Sequence, residues 1–579
     1  MNTRHINICI LKQVKSPLGK AWLGSFCLVA AMGLTSCSDL LDQKPYGQLI
    51  ADQLQESDAE QMMTSAYAGL YSHYFGNNEA FAGPLTNWIF DVRSDDALKG
   101  GGATSMEENI HQLEISNLTS DNVSNLDKWK NDLYAIAYTN SAQAAMEEAK
   151  NPVFKTGIAE MIFLRSFYYF DMLKIFQYIP YIDETVTDIS SVRNDQYSQV
   201  EIYDILISRL EAAYEDLPET QKAPGRANKY AAAALLAKMY AQRPGATNWA
   251  KVEEWSGKVL NKYELYDHCG DIAKIEFNNQ KESIFAMQCS TANTHAFVNW
   301  CNMLNCTYSE GNLYGNGDDF FLASQDLVNC FRTDPVTGLP ILDDAERNSK
   351  SDIDVSYDNS VDPRLDYTVG RIGMPWKSPD GVSQIYNDSW CRVKDLYGEY
   401  SGKKFVEEPS KCGQEVPWGY SDLNFIFLRY SDILLLHAES LIEQNKDLNT
   451  AREEINQIRQ KAVRTLADEA TITPKDMDSW SQFYRVGLYP NDAKWNQEYA
   501  RKAVRMERRL ELAMEGQRWF DLIRWGVAES TMNAYYAKES KKHSYLEGAS
   551  VSADELYLPV PLDEITNANG VYVAKGKNN

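Results

Sequence analysis

After residue 36 the chain has no apolar run approaching the ~18 residues that a membrane-crossing helix needs, so nothing past its start reads as a transmembrane segment. Cysteine is scarce, ten in 579 residues, which is too thin for an exported scaffold held mainly by disulfides. Cys301 and Cys306 have no second pair at matching spacing, so a tetrahedral zinc site is not indicated. Histidines number seven and stand singly. There is no G-x-S-x-G elbow, no H-E-x-x-H, no P-loop and no G-x-G-x-x-G, which removes the common hydrolase, metalloprotease and nucleotide-binding readings. Positive charge is also short: 57 Lys and Arg stand against 81 Asp and Glu, a net charge of −24. So acidic a chain argues against nucleic acid and against adhesion to anionic lipid through basic patches.

What the chain does have begins at its start. Residues 1–20 carry Arg4, Lys12, Lys15 and Lys20 and no acid, and an apolar run follows from Ala21 to Leu34. At about 1.5 Å per residue that run is too short for a bilayer core of about 30 Å. A basic region, a short apolar region and small residues before a cut describe a secretory signal peptide. Leu34-Thr35-Ser36-Cys37 resembles the bacterial lipobox, in which cleavage leaves a cysteine whose thiol takes a diacylglycerol and whose amine takes a third acyl chain. More than one chain gives stable anchoring. Residues 1–36 are therefore read as a cleaved lipoprotein signal and Cys37 as the lipidated residue. Losing the four basic residues takes the acidic excess to 28. Seven cysteines then remain (Cys269, Cys289, Cys301, Cys306, Cys330, Cys391 and Cys412), read as mostly free and buried, with room for one or two disulfides.

Residues 37–56 contain Pro45 and Gly47 and no sustained period, and read as a tether. Ser57-Asp58-Ala59-Glu60 fits a capping box opening a helix with Met62, Met63, Ala66, Tyr67, Leu70, Tyr71 and Tyr74 at helical spacing. Residues 76–119 look loop-like, with Gly100-Gly101-Gly102 and the polar cluster Arg93-Ser94-Asp95-Asp96. Helical patterns follow from about Asn125, over Ile158–Leu173, Ile202–Leu217, Asn228–Gln242 and Trp249–Asn261, with short connections that imply antiparallel hairpins. The alanine-rich KYAAAALLAKMYA lets neighbours approach closely, as stacked tetratricopeptide-type hairpins require, although the full 34-residue consensus is absent. Residues 263–424 are rich in Gly, Asn, Asp, Pro and Cys and read as a loop-rich lobe with its own packing, in which Ser283–Met287 fits a small strand. Helical signal returns over Phe425–Gln444, Leu448–Ala462 and Glu498–Gly516. The fold expected is all-α: degenerate tetratricopeptide-like hairpins, a body over about 57–262 and 425–526, the lobe over about 263–424, and a closing segment, 527–579.

Several stretches together resemble the SusD/RagB family of outer-membrane nutrient-binding lipoproteins. CSDLLDQKP after the cut is similar to the family's opening. AEMIFLRSFYYFDMLKIFQYIPYI, 159–182, resembles its arginine and paired-tyrosine helix, with Gln177 in place of the usual glycine. Asp362-Pro363-Arg364 matches a short signature in the lobe, and 428–445 resembles the arginine-to-Ala-Glu helix. ERRLELAMEGQRWFDLIRWG, 507–526, is the sharpest match, and 557–572 resembles the closing segment. Physically, Glu507, Glu511 and Glu515 fall four apart with Arg505 and Arg509 as i,i+4 partners. Gly516 then marks a bend before Trp519, Phe520, Leu522 and Ile523. These read as structural residues.

The resemblance implies capture of a glycan or other oligomeric nutrient at the surface of a Gram-negative cell. Delivery would be to a SusC-like TonB-dependent transporter, from a lipid anchor in the outer membrane, with no enzyme activity and no cofactor. Composition suits this: aromatics make 12% of the chain, and sugar faces stack on Trp or Tyr while hydroxyls seek Asn, Asp or Arg. Because aromatics at helical spacing belong to the core, the ligand-binding candidates are loop residues: Trp88, Asp91, Trp300, Tyr308, Tyr314 and Phe320, with Trp376, Trp390 and Trp418 behind them. Two rival readings are a surface glycoside hydrolase and a scaffold that binds protein. The first would need facing carboxylates, but Asp95-Asp96, Asp318-Asp319 and Asp343-Asp344 read as solvated surface charge. Asp352, Asp354 and Asp358 start like a calcium loop but lack its later glycine and glutamate, so no metal is assigned.

Overall fold

The computed structural model describes residues 54–71, 91–290, 307–308, 317–353, 360–376, 384–406, 422–472 and 484–574, without the side chains of 466–472. The signal, Cys37 and most of the tether lie outside these residues. The described chain is mainly helical. Helix α1 (Glu56–Ala68) starts earlier than its sequence suggests. The Asp58 carboxylate accepts from the Gln55 amide at 3.2 Å, so Gln55 is the N-cap and the Ser57-to-Glu60 box does not form. Helices α2 (Val123–Glu148), α3 (Lys155–Ile175), α4 (Gln199–Ala213), α5 (Lys229–Gln242) and α6 (Trp249–Gly257) then pack as consecutive neighbours. Asn122 caps α2 through the amides of Ser124 and Asn125, and the box predicted nowhere in sequence appears at Ser198 and Glu201 on α4. In α5 the four alanines Ala231–Ala234 are all buried, and their small side chains bring α4 and α6 close.

Strand β1 (Ala97–Gly100) runs antiparallel to β3 (Phe320–Ala323), and β2 (Ser283–Met287) to β4 (Phe425–Arg429), with Ser283 opposite Arg429 and Met287 opposite Phe425. The first five residues read as the start of a helix at Phe425 are thus a strand, and α7 (Tyr430–Glu443) begins only after it. Alternation explains this: Phe425 and Phe427 project to one face, where Phe427 meets Phe167 of α3 at 5.1 Å and Phe285 of β2 stands 5.0 Å from Phe163. The β2–β4 ladder therefore fastens the lobe to the helices. Helix α7 packs on α5 and α6, and α8 (Leu448–Ile472) on α7, so helices from both sides of the lobe share one hydrophobic core.

Helix α9 (Gln497–Glu511) differs most from its reading. Glu507 and Glu511 do not pair along the helix; they are buried and reach across to other segments, while the exposed Glu498 pairs with Lys502. Arg364 holds Asp362 through two nitrogens, at 3.0 and 2.8 Å, and Glu507 at 2.7 Å. Glu511 takes Arg429 at 2.8 Å and Lys461 at 2.6 Å, and these cations hold its carboxyl well below the usual range against the upward push of burial. A charge this deep is tolerated only with such partners, because an unpaired one costs several kcal/mol, on the order of 3–5. Arg509 crosses to Asp95, Asp96 and Asp326 at 2.8–3.0 Å.

The Asp95-Asp96 pair is therefore buried structural charge and not solvated surface, a correction whose cause is Arg509 and Arg518. Past α9 the chain bends at Gly516, φ +71°, before α10 (Arg518–Arg524) drives Trp519, Phe520 and Leu522 into the core. Helix α11 (Ala528–Glu539) follows. No helix among the described residues is long and apolar enough to cross a membrane.

Candidate functional site

Of the loop aromatics named from sequence, Trp88, Trp300, Tyr314 and Trp418 fall outside the described residues. Tyr308 is described and stands 45% exposed, the one named candidate among the described residues with an open ring. Asp91 is fully buried, and its carboxylate accepts from the Gly516 amide at 2.6 Å, so it caps the bend after α9. Burial first, then Asp96 and Glu515, push that carboxyl well above its ordinary range. Phe320 is buried in the β1–β3 ladder with the Lys99 ammonium 5.6 Å from its ring centre. Trp376 and Trp390 are also buried. They pack with Tyr386 at centroid distances of 5.3–5.7 Å in a small aromatic cluster.

The backbone of Tyr308 is tied to that cluster at Trp390. The Trp390 carbonyl accepts from the Tyr308 amide at 3.0 Å, and the Thr307 carbonyl from Gly317 at 3.0 Å, so both polar groups of the peptide that leads into Tyr308 are fixed. The Arg392 guanidinium stands 5.5 Å from the centre of the Tyr308 ring. Its outer side pairs with Asp318, which is half-exposed. Arg392 and Asp318 were not singled out as ligand residues; the only sequence signals were Arg392 two positions after Trp390 and Asp318 in an acidic pair.

Asp319 locks this arrangement from below. One carboxylate oxygen accepts from the Arg392 amide at 3.0 Å and the other from the Ser401 hydroxyl at 2.5 Å. Ser401 is in turn 2.6 Å from the Tyr386 hydroxyl, which lies 3.1 Å from the Cys391 sulfur. Burial raises Asp319 to about 6, partly offset by those two hydrogen bonds. Asp318-Asp319 is thus split by the fold: one residue faces solvent and the other is sealed.

The glycine run explains how the loop is gripped. Gly100 and Gly101 have φ of +71° and +73°, and the Gly101 amide donates to the Asp319 carbonyl at 2.7 Å. A Cβ at Gly100 would lie 2.4 Å from that same carbonyl oxygen, which no side chain tolerates. The chemistry on offer is an exposed aromatic face flanked by a guanidinium and a carboxylate on a rigid base. It stacks, donates and accepts.

Asp343 caps the 344–348 helix and Asp344 pairs with Arg347 at 2.5 Å. Asp352 is taken by Asn329 and Lys542, while Asp354 and Asp358 lie outside the described residues. Among the described residues no group of three or more His, Cys, Asp or Glu is placed to hold a metal ion, and Cys269, Cys330 and Cys391 are free thiols.

Against known proteins, residues 281–576 match the model of the SusD family, and residues 39–241 match a second model described as starch-binding associating with outer membrane. A SusD-like protein of Formosa agariphila is 25% identical over 522 residues, covering 86% of this chain and 89% of the relative. A SusD superfamily protein from Bacteroides vulgatus superposes with a TM-score of 0.66 at 20% identity, covering 90% of this chain and 98% of that one. Surface glycan-binding protein A from Bacteroides thetaiotaomicron, solved with laminarihexaose, superposes with a TM-score of 0.64 at 19% identity, over 90% and 99% of the two chains.

Proposed function

The chain belongs to the SusD family, and from that premise we propose that it is a cell-surface glycan-binding lipoprotein. In this reading it captures oligosaccharide and passes it to a SusC-like TonB-dependent transporter in the outer membrane. The observation that carries the reading is Tyr308: an exposed ring whose backbone is tied to a buried aromatic cluster, with Arg392 against the ring and Asp318 paired to Arg392. A sugar ring lays its C–H face on such a ring while its hydroxyls take the flanking charges. The relative solved with laminarihexaose supports glycan as the ligand class. Trp88, Trp300 and Tyr314 are proposed as further parts of the platform.

Cys37 anchors the protein through its lipid, the stretch to Glu56 serves as tether, and residues 57–579 form the binding domain. The protein does no chemistry on what it binds. The test is the soluble mature chain, residues 38–579, run in retardation gels and calorimetry against neutral and acidic polysaccharides. Binding without product release supports the reading. Release of shortened products would revive the hydrolase, and silence on every glycan would favour a protein-binding scaffold.

A further inference from the structure

On the face formed by α9, α11 and the 344–348 helix lies a groove of about 460 Å³, in the range of ligand sites. A second groove of about 680 Å³ adjoins it, and Leu342 and Lys502 line both. Other cations on its floor already hold carboxylates closely: Arg509 and Arg518 are bound to Asp95, and Arg347, though its Nε is unpartnered, to Asp344 at 2.5 Å. Arg505 does not. Its nearest carboxylate oxygen, on Glu443, is 3.9 Å away and already accepts from Arg501 at 2.7 Å.

Its Nε has no hydrogen-bond partner. The neighbouring Arg524, by contrast, holds Glu439 through two nitrogens at 2.9 and 2.7 Å. Arg505 is nonetheless fixed in place, its guanidinium 4.8 Å from the centre of the Trp525 ring. One helical turn away, Lys502 is half-exposed, with the exposed Glu498 at 3.3 Å as its ion-pair partner among the described residues. Ser530 and Thr531 of α11 line the same groove.

We propose that this groove is a second ligand site, in which Arg505 and Lys502 bind an anionic oxygen group, a carboxylate or a sulfate ester, carried on a saccharide. A planar guanidinium with unused donors, immobilised on an aromatic ring, is arranged to take two oxygens of such a group at once. Burial, with Arg524 and Arg501, outweighs Glu439 and Glu443 and lowers Arg505 from the ordinary guanidinium range, and a bound anion would favour its charged form. In a chain of net charge −24, an acidic polymer is repelled by most of the surface and held where cations lack partners. The carrier being a saccharide rests on the proposed glycan capture; the anion site rests on Arg505 itself.

The experiment is calorimetric titration of the full chain with oligogalacturonide, a sulfated oligosaccharide and neutral laminarihexaose. Arg505→Met and Thr531→Glu are run beside the parent; the second variant places a negative charge in the groove without disturbing α9. Binding of either acidic ligand that weakens about tenfold or more in both variants, and falls steeply between about 0.05 M and 0.5 M salt, supports the site. Preference between the two acidic ligands tells carboxylate from sulfate. Equal affinity for parent and variants, or no acidic ligand bound by the parent, overturns it. Laminarihexaose binding by the parent in that last case would leave glycan capture standing while the anion site falls.

Discussion

Two regions of this molecule are built from the same residue types and do opposite things. Around α9, Glu507 and Glu511 meet Arg364, Arg429 and Lys461 in the dry interior. Around Tyr308, Arg392 meets Asp318 at the solvent. In the first region each of these charges is committed to another, and removing one strands its partners. In the second the pair is wet, weak and available, and a ligand can take its hydrogen bonds at small cost. An arginine beside a carboxylate therefore says little until its burial is known. The motif most recognisable in the sequence, Glu507 to Gly526, belongs to the committed region.

The comparison breaks most visibly at Glu511. Glu511→Ala leaves Arg429 and Lys461 facing an empty space, and the expected loss is about 3–5 kcal/mol of unfolding free energy, measured by denaturant titration. A loss below about 1 kcal/mol, the range of exposed pairs, would mean the α9 network is no different in kind from the surface pair. Next in size is the carboxyl that joins the two regions in character, Asp319, buried but beneath the site. Its folded value is about 6 against an ordinary 3.8. Because the folded value is the raised one, its stabilising effect is full below about pH 4 and is lost as pH rises through about 6, on the order of 2–3 kcal/mol. Asp319→Asn should flatten the stability profile across that window, and an unaltered profile would remove Asp319 as its source.

Tyr308→Ala should cost about tenfold in glycan affinity, near 1.4 kcal/mol, with the melting temperature unmoved because the ring is largely exposed and its loss leaves Arg392 paired with Asp318. Asp318→Ala is the smallest perturbation, with an expected stability change under about 1 kcal/mol and a modest change in affinity; it separates the charge at the ring's edge from the ring itself. Outside the described residues, Cys37→Ala should leave binding by the purified protein intact and impair uptake in cells; unchanged uptake would make the anchor dispensable.

Much of the helical body was legible in the sequence. The periods over α2 to α6 and the alanine run of α5 are local signals, and the structure places helices there within a few residues. The β2–β4 ladder was half legible: Ser283–Met287 was read as a strand, but its partner Phe425–Arg429 was read as helix. Its five residues abut a true helix, and only cross-chain pairing distinguishes them. The capping box at Ser57 failed because Asp58 reaches Gln55 first. Asp95-Asp96 failed for a longer-range reason, since the arginines that bury it lie more than 400 positions away. Of the candidate site, Tyr308 was legible as a loop aromatic. Arg392 was not, because its place over the ring depends on Asp319, Ser401 and the glycines at 100 and 101, which meet only in the folded chain.

The most direct test of the division between scaffold and surface is a paired measurement on Tyr308→Ala. Calorimetric titration with the glycan that the parent binds best is set beside a thermal melt of the same preparation. The account predicts affinity reduced about tenfold with an unchanged melt. Parent-like affinity in the variant would contradict it, and would place glycan capture away from the Tyr308, Arg392 and Asp318 patch.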